Sequence, residues 1–188
     1  MKARCLFLII LFSVFPQAKS QQLSLMPWPS ELKSAEGQFV INKNLRISVS
    51  GNPDNRFQPN LVRFIQQLSK RTTKPLDRDT IITNAEASMI IKINRSGVVK
   101  LGENESYSLK VEVDKIILTS ETELGAMHGL QTLLQLLDRN KNSFFFPCLE
   151  INDKPRLAWR GLMIDACRHF IPLEEIKHNI DAMAAVKM

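Results

Sequence analysis

The sequence predicts an α+β domain, in which a mostly antiparallel sheet carries two helices on one face, followed by a single β/α unit. Short apolar runs typical of strands are spread over residues 37–149, and two longer segments repeat apolar residues at helical spacing. From residue 155 the pattern changes to one continuous apolar run followed by one helix. One strand and one helix cannot bury their own faces, so this unit needs further partners.

The first twenty residues have the layout of a secretory signal peptide. Lys2 and Arg4 precede an apolar stretch over residues 5–15, and the small residues Ala18 and Ser20 stand before the expected cut. The apolar stretch is shorter than the roughly 20 residues that cross a bilayer. A buried amino-terminal strand is the alternative, which the basic flank disfavours. We expect cleavage after Ser20, a mature chain without a membrane span, and a periplasmic or extracellular location.

Composition excludes several classes of protein. Loss of the three basic residues in the leader lowers the formal net charge from +6 to +3, and the remaining charges are scattered, so we predict no binding to nucleic acid. Cys148 and Cys167 are too few for a disulfide-stapled scaffold, although a single bridge between them stays open. The three histidines stand apart, without the spacing of metal ligands. We predict neither a metal nor a cofactor.

The strands and the first helix follow from local patterns. Between residues 59 and 68, apolar residues at helical spacing predict a helix with one buried face. The last two of the short strands are separated by little more than Asp114, which favours an antiparallel hairpin. The predicted strands cover residues 37–41, 45–49, 89–93, 107–113 and 115–118, and a further apolar run follows at 144–149.

A second helix is predicted to begin at residues 120–123, Ser-Glu-Thr-Glu, which have the form of a capping box. Its leucines and Met127 form a broad apolar stripe, while Gly125 and Gly129 lie on another face. A glycine inside a helix costs about 1 kcal/mol relative to alanine, so these two positions predict close approach to another element. We expect this helix to be covered on more than one side.

The β/α unit begins with the apolar run 162–164, which predicts a strand buried on both faces. Pro172 then starts a helix whose apolar stripe runs from Leu173 to Met183. Glu174 and Glu175 complement the positive end of the helix dipole, which accounts for them without a catalytic role.

Two segments resemble a known family. Residues 159–170, WRGLMIDACRHF, with the helix over residues 172–184, look like the first strand and helix of the (β/α)8 catalytic barrel of glycoside hydrolase family 20 β-N-acetylhexosaminidases. Residues 125–136, GAMHGLQTLLQL, resemble the helix of the small α+β domain that precedes that barrel. The resemblance divides the chain into a signal peptide (1–20), an α+β domain (21–154) and the incomplete start of a TIM barrel (155–188).

The resemblance implies an enzyme that removes terminal N-acetylglucosamine or N-acetylgalactosamine from glycans with retention of configuration. In this family the acetamido oxygen of the substrate attacks the anomeric carbon, without an enzyme nucleophile. An adjacent Asp-Glu pair, further along the barrel, protonates the leaving oxygen and orients the acetamido group. The 188 residues contain no such pair, so we assign no catalytic residue and expect this fragment to be inactive.

Arg160 matches the family arginine that hydrogen-bonds the hydroxyls of the non-reducing sugar, a role that suits the fixed donors of a guanidinium. An ordinary ion pair beneath the barrel is the alternative for Arg160. Barrel sites lie at the carboxyl ends of strands, where the sequence places Asp165, Arg168 and His169. We expect Asp165 and Arg168 to form a buried ion pair in the floor of the site, with His169 beside them. His128 is predicted to be a hydrogen-bonded packing residue.

Two other functions compete with the glycosidase. The α+β domain could serve as a non-catalytic carbohydrate-binding or interaction module, but residues 162–164 and the stripe of the last helix would then stay exposed. A structural domain of unrelated fold would require both motifs to have arisen by accident.

Overall fold

A computed structural model describes residues 23–82 and 86–188, so the predicted signal peptide lies outside the described residues. Strands and helices follow one another along the chain with these bounds: β1 (Glu31–Val40), β2 (Ile47–Gly51), α1 (Phe57–Thr72), β3 (Ile81–Ile82), β4 (Met89–Ile93), β5 (Tyr107–Val111), β6 (Ile116–Ser120), α2 (Glu123–Leu136), β7 (Asp138–Arg139), β8 (Phe144–Asp153) and α3 (Leu173–Ala185).

The strands form one mixed sheet in the order β1-β8-β5-β6-β4-β2-β3, and β7 pairs with β8. The half from β1 to β6 is antiparallel, and β5 and β6 form the predicted hairpin. The half from β6 to β3 is parallel, with α1 in the connection that follows β2. The α+β class is confirmed. The sequence does not predict the parallel half, because alternation reports which face of a strand is buried but not the direction of its neighbour.

The core lies between one face of the sheet and its two helices. β4 and β5 alternate buried and less buried residues, so one face of each strand carries the core. The helix α1 buries Phe57, Leu61 and Phe64 in the same cluster as Met89 and Ile91 of β4. The helix α2 packs beside α1 and over β5 and β6. Two helices therefore cover one face of the sheet, as the sequence predicts.

The start of α2 differs from the predicted capping box. Ser120 is the last residue of β6, where it pairs with Ile93 and Tyr107, and the helix begins at Glu123 without a side-chain cap. The pairing of β6 on both of its edges holds Ser120 in the sheet, so the capping-box prediction is wrong. The buried Glu123 carboxylate instead accepts the backbone N–H of Gly97 at 2.7 Å.

The two glycines of α2 permit close contact with the sheet, as predicted. A Cβ atom at Gly125 would lie 2.2 Å from the carbonyl oxygen of Ser106. A Cβ atom at Gly129 would lie 2.3 Å from Cδ1 of Leu118. Both distances are far below van der Waals contact. The close approach requires glycine at position 125, where a side chain would meet backbone, and favours glycine at position 129, where it would meet the end of a side chain.

The predicted strand at residues 162–164 is absent from the described structure. The segment belongs to no strand, and Leu162 and Met163 are 53% and 95% exposed. A strand requires a hydrogen-bonded neighbour, and among the described residues none pairs with this segment. The strand prediction is therefore wrong for these 188 residues, and the apolar run faces solvent.

The predicted helix after Pro172 is present as α3, which begins at Leu173. Its apolar stripe is only partly covered: Leu173 and Ile180 are exposed, Ile176 and Met183 are half-buried, and α3 contains no fully buried residue. It is attached to the α+β domain through an ion pair of Arg63 with Asp181 at 3.2 Å and through contacts at its carboxyl end.

The sequence also predicts a mature chain without a membrane span, and it leaves open a bridge between Cys148 and Cys167. Within residues 23–82 and 86–188, no helix is long and apolar enough to cross a membrane. Cys148 is buried, Cys167 is exposed, and both are free thiols.

The substitution Gly125→Ala should destabilise the domain by about 1–3 kcal/mol, because the added methyl group meets backbone and the steric cost exceeds the gain in helix propensity. Gly129→Ala is the matched control, since its methyl group meets the end of a leucine side chain that can rotate. Urea unfolding should therefore give the larger loss at Gly125. Equal losses, or a gain at Gly125, would contradict the close approach of α2 to Ser106.

Candidate functional site

A cavity of about 220 Å³ lies where the α+β domain meets residues 154–160 and the end of α3. We call it the junction cavity. Its walls combine aromatic and apolar side chains with charged groups, and they comprise Pro27, Trp28, Glu105, Tyr107, His128, Asp153, Lys154, Pro155, Arg156, Leu157, Arg160 and Lys187. Arg160 is the predicted site residue that contributes to these walls.

Arg160 is held by three hydrogen bonds from different parts of the chain. Its Nη2 donates a hydrogen bond to Oε2 of Glu105, with which it forms an ion pair. Its Nη1 donates to the Leu157 carbonyl at 2.6 Å, and its Nε donates to the Lys187 carbonyl at 3.1 Å. A guanidinium has five N–H donors, so two remain after these bonds.

Glu105 lies between Arg160 and His128. Its Oε2 is 3.6 Å from Nδ1 of His128, and both side chains are 18% exposed. Burial lowers the pKa of His128 to about 4; the negative charge of Glu105 opposes this shift, and the positive charge of Arg160 adds to it. His128 is therefore neutral at pH 7, and the charge of Glu105 is balanced by Arg160.

A second polar network lines the wall of the cavity beside the end of α3. Lys187, which is buried, donates from Nζ to Oδ2 of Asp153 at 3.0 Å and to the hydroxyl of Tyr107 at 2.9 Å. Tyr107 donates to Asp153 at 2.9 Å and shares a hydrogen bond of 2.6 Å with Thr132. These contacts connect Lys187, which lies just beyond α3, to the ends of β8 and β5 and to α2.

Burial disfavours the charged form of each titratable side chain in this network. It raises the pKa of the Tyr107 hydroxyl, so the phenol keeps its proton. It lowers the pKa of Lys187 against the opposing effect of Asp153. Burial alone would raise the pKa of Asp153, but the hydrogen bond and charge of Lys187, together with hydrogen bonds from Tyr107 and the Ser30 backbone, outweigh it and leave the pKa below its usual value. At neutral pH the pair is a buried salt bridge.

The carboxamide of Gln135 joins residues 23–30, which precede β1 and which we call the amino-terminal strap, to the last helix, α3. The side chain of Gln135 accepts from the Met26 backbone N–H at 2.8 Å and donates to the Met26 carbonyl at 2.8 Å. The same Nε2 donates to the Ala185 carbonyl at 2.7 Å. Arg156 donates to the carbonyl of Trp28 at 3.1 Å, so the strap also contacts the segment that leads to Arg160.

The other predicted site residues lie away from the junction cavity. Asp165 and Arg168 form the expected ion pair, at 2.5 Å, but Arg168 is 89% exposed. The pair therefore forms as predicted and its predicted burial is wrong, because the preceding run 162–164 is not part of a sheet. His169 is exposed as well. Among the described residues, no cluster of side chains has the composition of a metal site.

Sequence reasoning missed three residues of the site: Glu105, Asp153 and Lys187. Glu105 stands in a polar stretch, Asp153 at the end of a strand and Lys187 after a helix, and no local pattern marks any of them. His128, which the sequence predicts to be a packing residue, is mostly buried and lies beside Glu105.

Two family models match the chain in succession. The model described as glycosyl hydrolase family 20, domain 2, matches residues 22–154. The model described as glycosyl hydrolase family 20, catalytic domain, matches residues 157–188.

Individual proteins that resemble the chain include a β-hexosaminidase, a chitobiase and a β-N-acetylglucosaminidase. The chain is 30% identical over 188 residues to β-hexosaminidase subunit A2 of Dictyostelium discoideum, with 95% of this chain and 33% of that protein covered. The crystal structure of Flavobacterium johnsoniae chitobiase matches with a TM-score of 0.85 at 43% identity, over 92% of this chain and 27% of that chain. An exo β-N-acetylglucosaminidase of Vibrio harveyi, in complex with N-acetylglucosamine, gives 0.68 at 25% identity, over 87% and 24%. The chain thus spans a third or less of these proteins.

His128→Gln should make stability less dependent on pH between 6.5 and 4. The folded chain holds the pKa of His128 at about 4, below the unfolded value of about 6.5, so the unfolded state binds the extra proton first as pH falls. The native protein should therefore lose on the order of 3 kcal/mol over this window through His128 alone. Urea unfolding at a series of pH values measures the difference. His169→Gln, at an exposed histidine, is the control, and parallel curves for the native and His128→Gln proteins would contradict the assignment.

Lys187→Met should cost about 3–5 kcal/mol, because it leaves the Asp153 carboxylate buried without its cation. The matched control is Lys177→Met, which breaks the exposed pair of Lys177 with Glu174 and should cost at most about 1 kcal/mol. In a double-mutant cycle, adding Asp153→Asn to Lys187→Met should recover part of the loss. Additive losses would show that the two side chains do not stabilise each other.

Proposed function

Because the chain belongs to glycoside hydrolase family 20, we propose that it is the amino-terminal portion of an exported β-N-acetylhexosaminidase that acts on terminal N-acetylglucosamine or N-acetylgalactosamine of glycans. The observation that supports this most directly is the order of the two family matches, with the α+β domain first and the start of the catalytic domain directly after it. On this proposal residues 1–20 are the signal peptide, residues 21–154 the α+β domain and residues 155–188 the start of the barrel.

Arg160 is the residue of this chain that we propose to bind the sugar. It lines the junction cavity, it is fixed by three hydrogen bonds, and two of its N–H donors remain. Two neighbouring donors on a planar group match two vicinal hydroxyls of a pyranose ring. Because a guanidinium stays charged at every physiological pH, this contact would not depend on proton transfer.

The proposed chemistry is substrate-assisted hydrolysis with retention of configuration. The acetamido oxygen of the substrate attacks the anomeric carbon as the glycosidic bond breaks, and the leaving oxygen takes a proton from a carboxylic acid. The family resemblance assigns that acid, and the carboxylate that orients the acetamido group, to an adjacent Asp-Glu pair. The 188 residues contain no such pair, so this chain would contribute to sugar binding and not to proton transfer.

Asp165, Arg168 and His169 are proposed to belong to the floor of the site in the completed barrel. They follow the run 162–164, and the carboxyl ends of barrel strands carry the active sites of this fold. Their exposure in these 188 residues leaves them free to take part in a site formed with other strands.

Surface composition argues against the alternative of a non-catalytic binding module. Met163, Phe170, Leu173 and Ile180 are exposed large apolar residues within a span of 18 positions. A module that acted alone would keep this surface in water, which favours aggregation. A barrel with further strands and helices would cover it.

Purified residues 21–188 should release no nitrophenol from a nitrophenyl N-acetyl-β-glucosaminide, because they lack the Asp-Glu pair. The assay compares this protein with a mock preparation and with Flavobacterium johnsoniae chitobiase as the positive control. Turnover above the mock preparation would refute the proposal that this chain contributes to sugar binding and not to proton transfer.

The reading frame after the codon for Met188 tests the proposal at the level of the gene. We expect an open frame there to encode a strand with paired histidines and an aspartate, followed later by an Asp-Glu pair. An open frame of barrel length without that pair would overturn the hexosaminidase proposal and favour the binding module.

A further inference from the structure

Each of the three guanidinium nitrogens of Arg160 donates a hydrogen bond to a different acceptor. One acceptor, Glu105, belongs to the α+β domain, while the carbonyls of Leu157 and Lys187 belong to the segment that follows it. A planar group held from three directions cannot turn about its Cζ–N bonds without breaking at least one hydrogen bond. The plane of Arg160 is therefore fixed by residues that come from two parts of the fold.

We propose that Glu105 is a positioning residue, which holds the guanidinium of Arg160 in one orientation before any sugar binds. The role in sugar recognition rests on the proposed function of Arg160. Through Glu105, the α+β domain takes part in substrate recognition although it carries no group that reacts.

Glu105 is itself fixed by its neighbours. The carbonyl of Asn104 accepts a hydrogen bond from the Thr122 hydroxyl at 2.5 Å, and the side chain of Asn104 accepts from the Ser106 backbone N–H at 2.9 Å. The Ser106 carbonyl lies against Gly125 of α2. The residues on both sides of Glu105 are thus tied to the start of α2, so the carboxylate projects from a rigid support.

The electrostatic surroundings favour the pairing of Glu105 with Arg160. The two side chains are 18% and 20% exposed, so solvent screens their attraction only in part. His128 lies on the other side of the carboxylate and is neutral at pH 7. Arg160 is therefore the cation that balances Glu105, and a charge-assisted hydrogen bond of this kind is stronger than a neutral one.

The third contact of Arg160 depends on a second anchor. Its acceptor is the carbonyl of Lys187, whose side chain is held in the buried pair with Asp153 and whose backbone adopts a φ of 62°. Movement of α3 would therefore move this carbonyl away from Arg160. Glu105 and Lys187 thus bind two neighbouring nitrogens of the guanidinium, Nη2 and Nε, and one N–H donor on each of Nη1 and Nη2 is left for a ligand.

The experiment measures rotation about the Cζ–Nη bonds of Arg160 by ¹⁵N and ¹³C NMR of arginine-labelled residues 21–188. Loss of signal in Arg160→Lys assigns the resonances. We expect slow rotation, with separate Nη signals, in the unmodified protein. Glu105→Gln, which keeps the shape but not the charge, should speed the rotation about tenfold, because a charge-assisted hydrogen bond becomes a neutral one.

The ion pair of Arg95 with Glu103, at 2.7 Å, supplies a matched control within the same spectrum. Glu105→Gln should leave the Arg95 signals unchanged, and Glu103→Gln should speed the rotation of Arg95 without affecting Arg160. A general loosening of the fold would move both arginines together and would overturn the proposal.

Averaged Nη signals for Arg160 in the unmodified protein would also overturn it, and this measurement needs no variant to fold. The proposed function is judged separately, by the reading frame and by hydrolysis. A freely rotating Arg160 would remove Glu105 as a positioning residue and leave the glycosidase proposal standing. A rigid Arg160, together with an open reading frame of barrel length that encodes no Asp-Glu pair, would keep Glu105 as a positioning residue and overturn the glycosidase proposal.

Discussion

One buried ion pair, that of Lys187 with Asp153, fixes the carboxyl end of the chain against the sheet. A buried ammonium is stable only when its counter-charge is fixed, and Asp153 is fixed because it ends β8 and accepts a hydrogen bond from Tyr107. The pair therefore sets where the end of α3 lies on the sheet. Arg160 takes its position from the same pair, since one of its hydrogen bonds ends on the Lys187 carbonyl.

Local patterns predicted the elements whose stability is local or depends on one buried face. The helix after Pro172, the hairpin of β5 with β6 and the close approach of Gly125 all followed from residue type and spacing. The two wrong predictions of local structure, at the start of α2 and at residues 162–164, concern segments whose structure depends on a distant partner. Ser120 has the right neighbours for a helix cap but is held by strand pairing, and residues 162–164 have the composition of a buried strand but no described strand beside them.

The candidate site was less accessible from the sequence than the fold. Arg160 was found through resemblance, because its motif is contiguous. Glu105 stands 55 residues before Arg160, and Asp153 stands 34 residues before Lys187, so only the completed fold shows that they are partners. Nothing in the type or spacing of these residues distinguishes them from ordinary surface charges. A local sequence pattern cannot predict a contact between residues that are far apart in the sequence and meet only in the folded chain.

The pairing of β1 with β8 has a consequence for the order in which the protein folds. Glu31 pairs with Asn152, so the first long strand has no partner until nearly the whole domain has been synthesised. Contacts between such distant segments form slowly, because a large loop must close before they are made. β1 lies at the edge of the sheet beside β8, so this edge cannot form until β8 has been made.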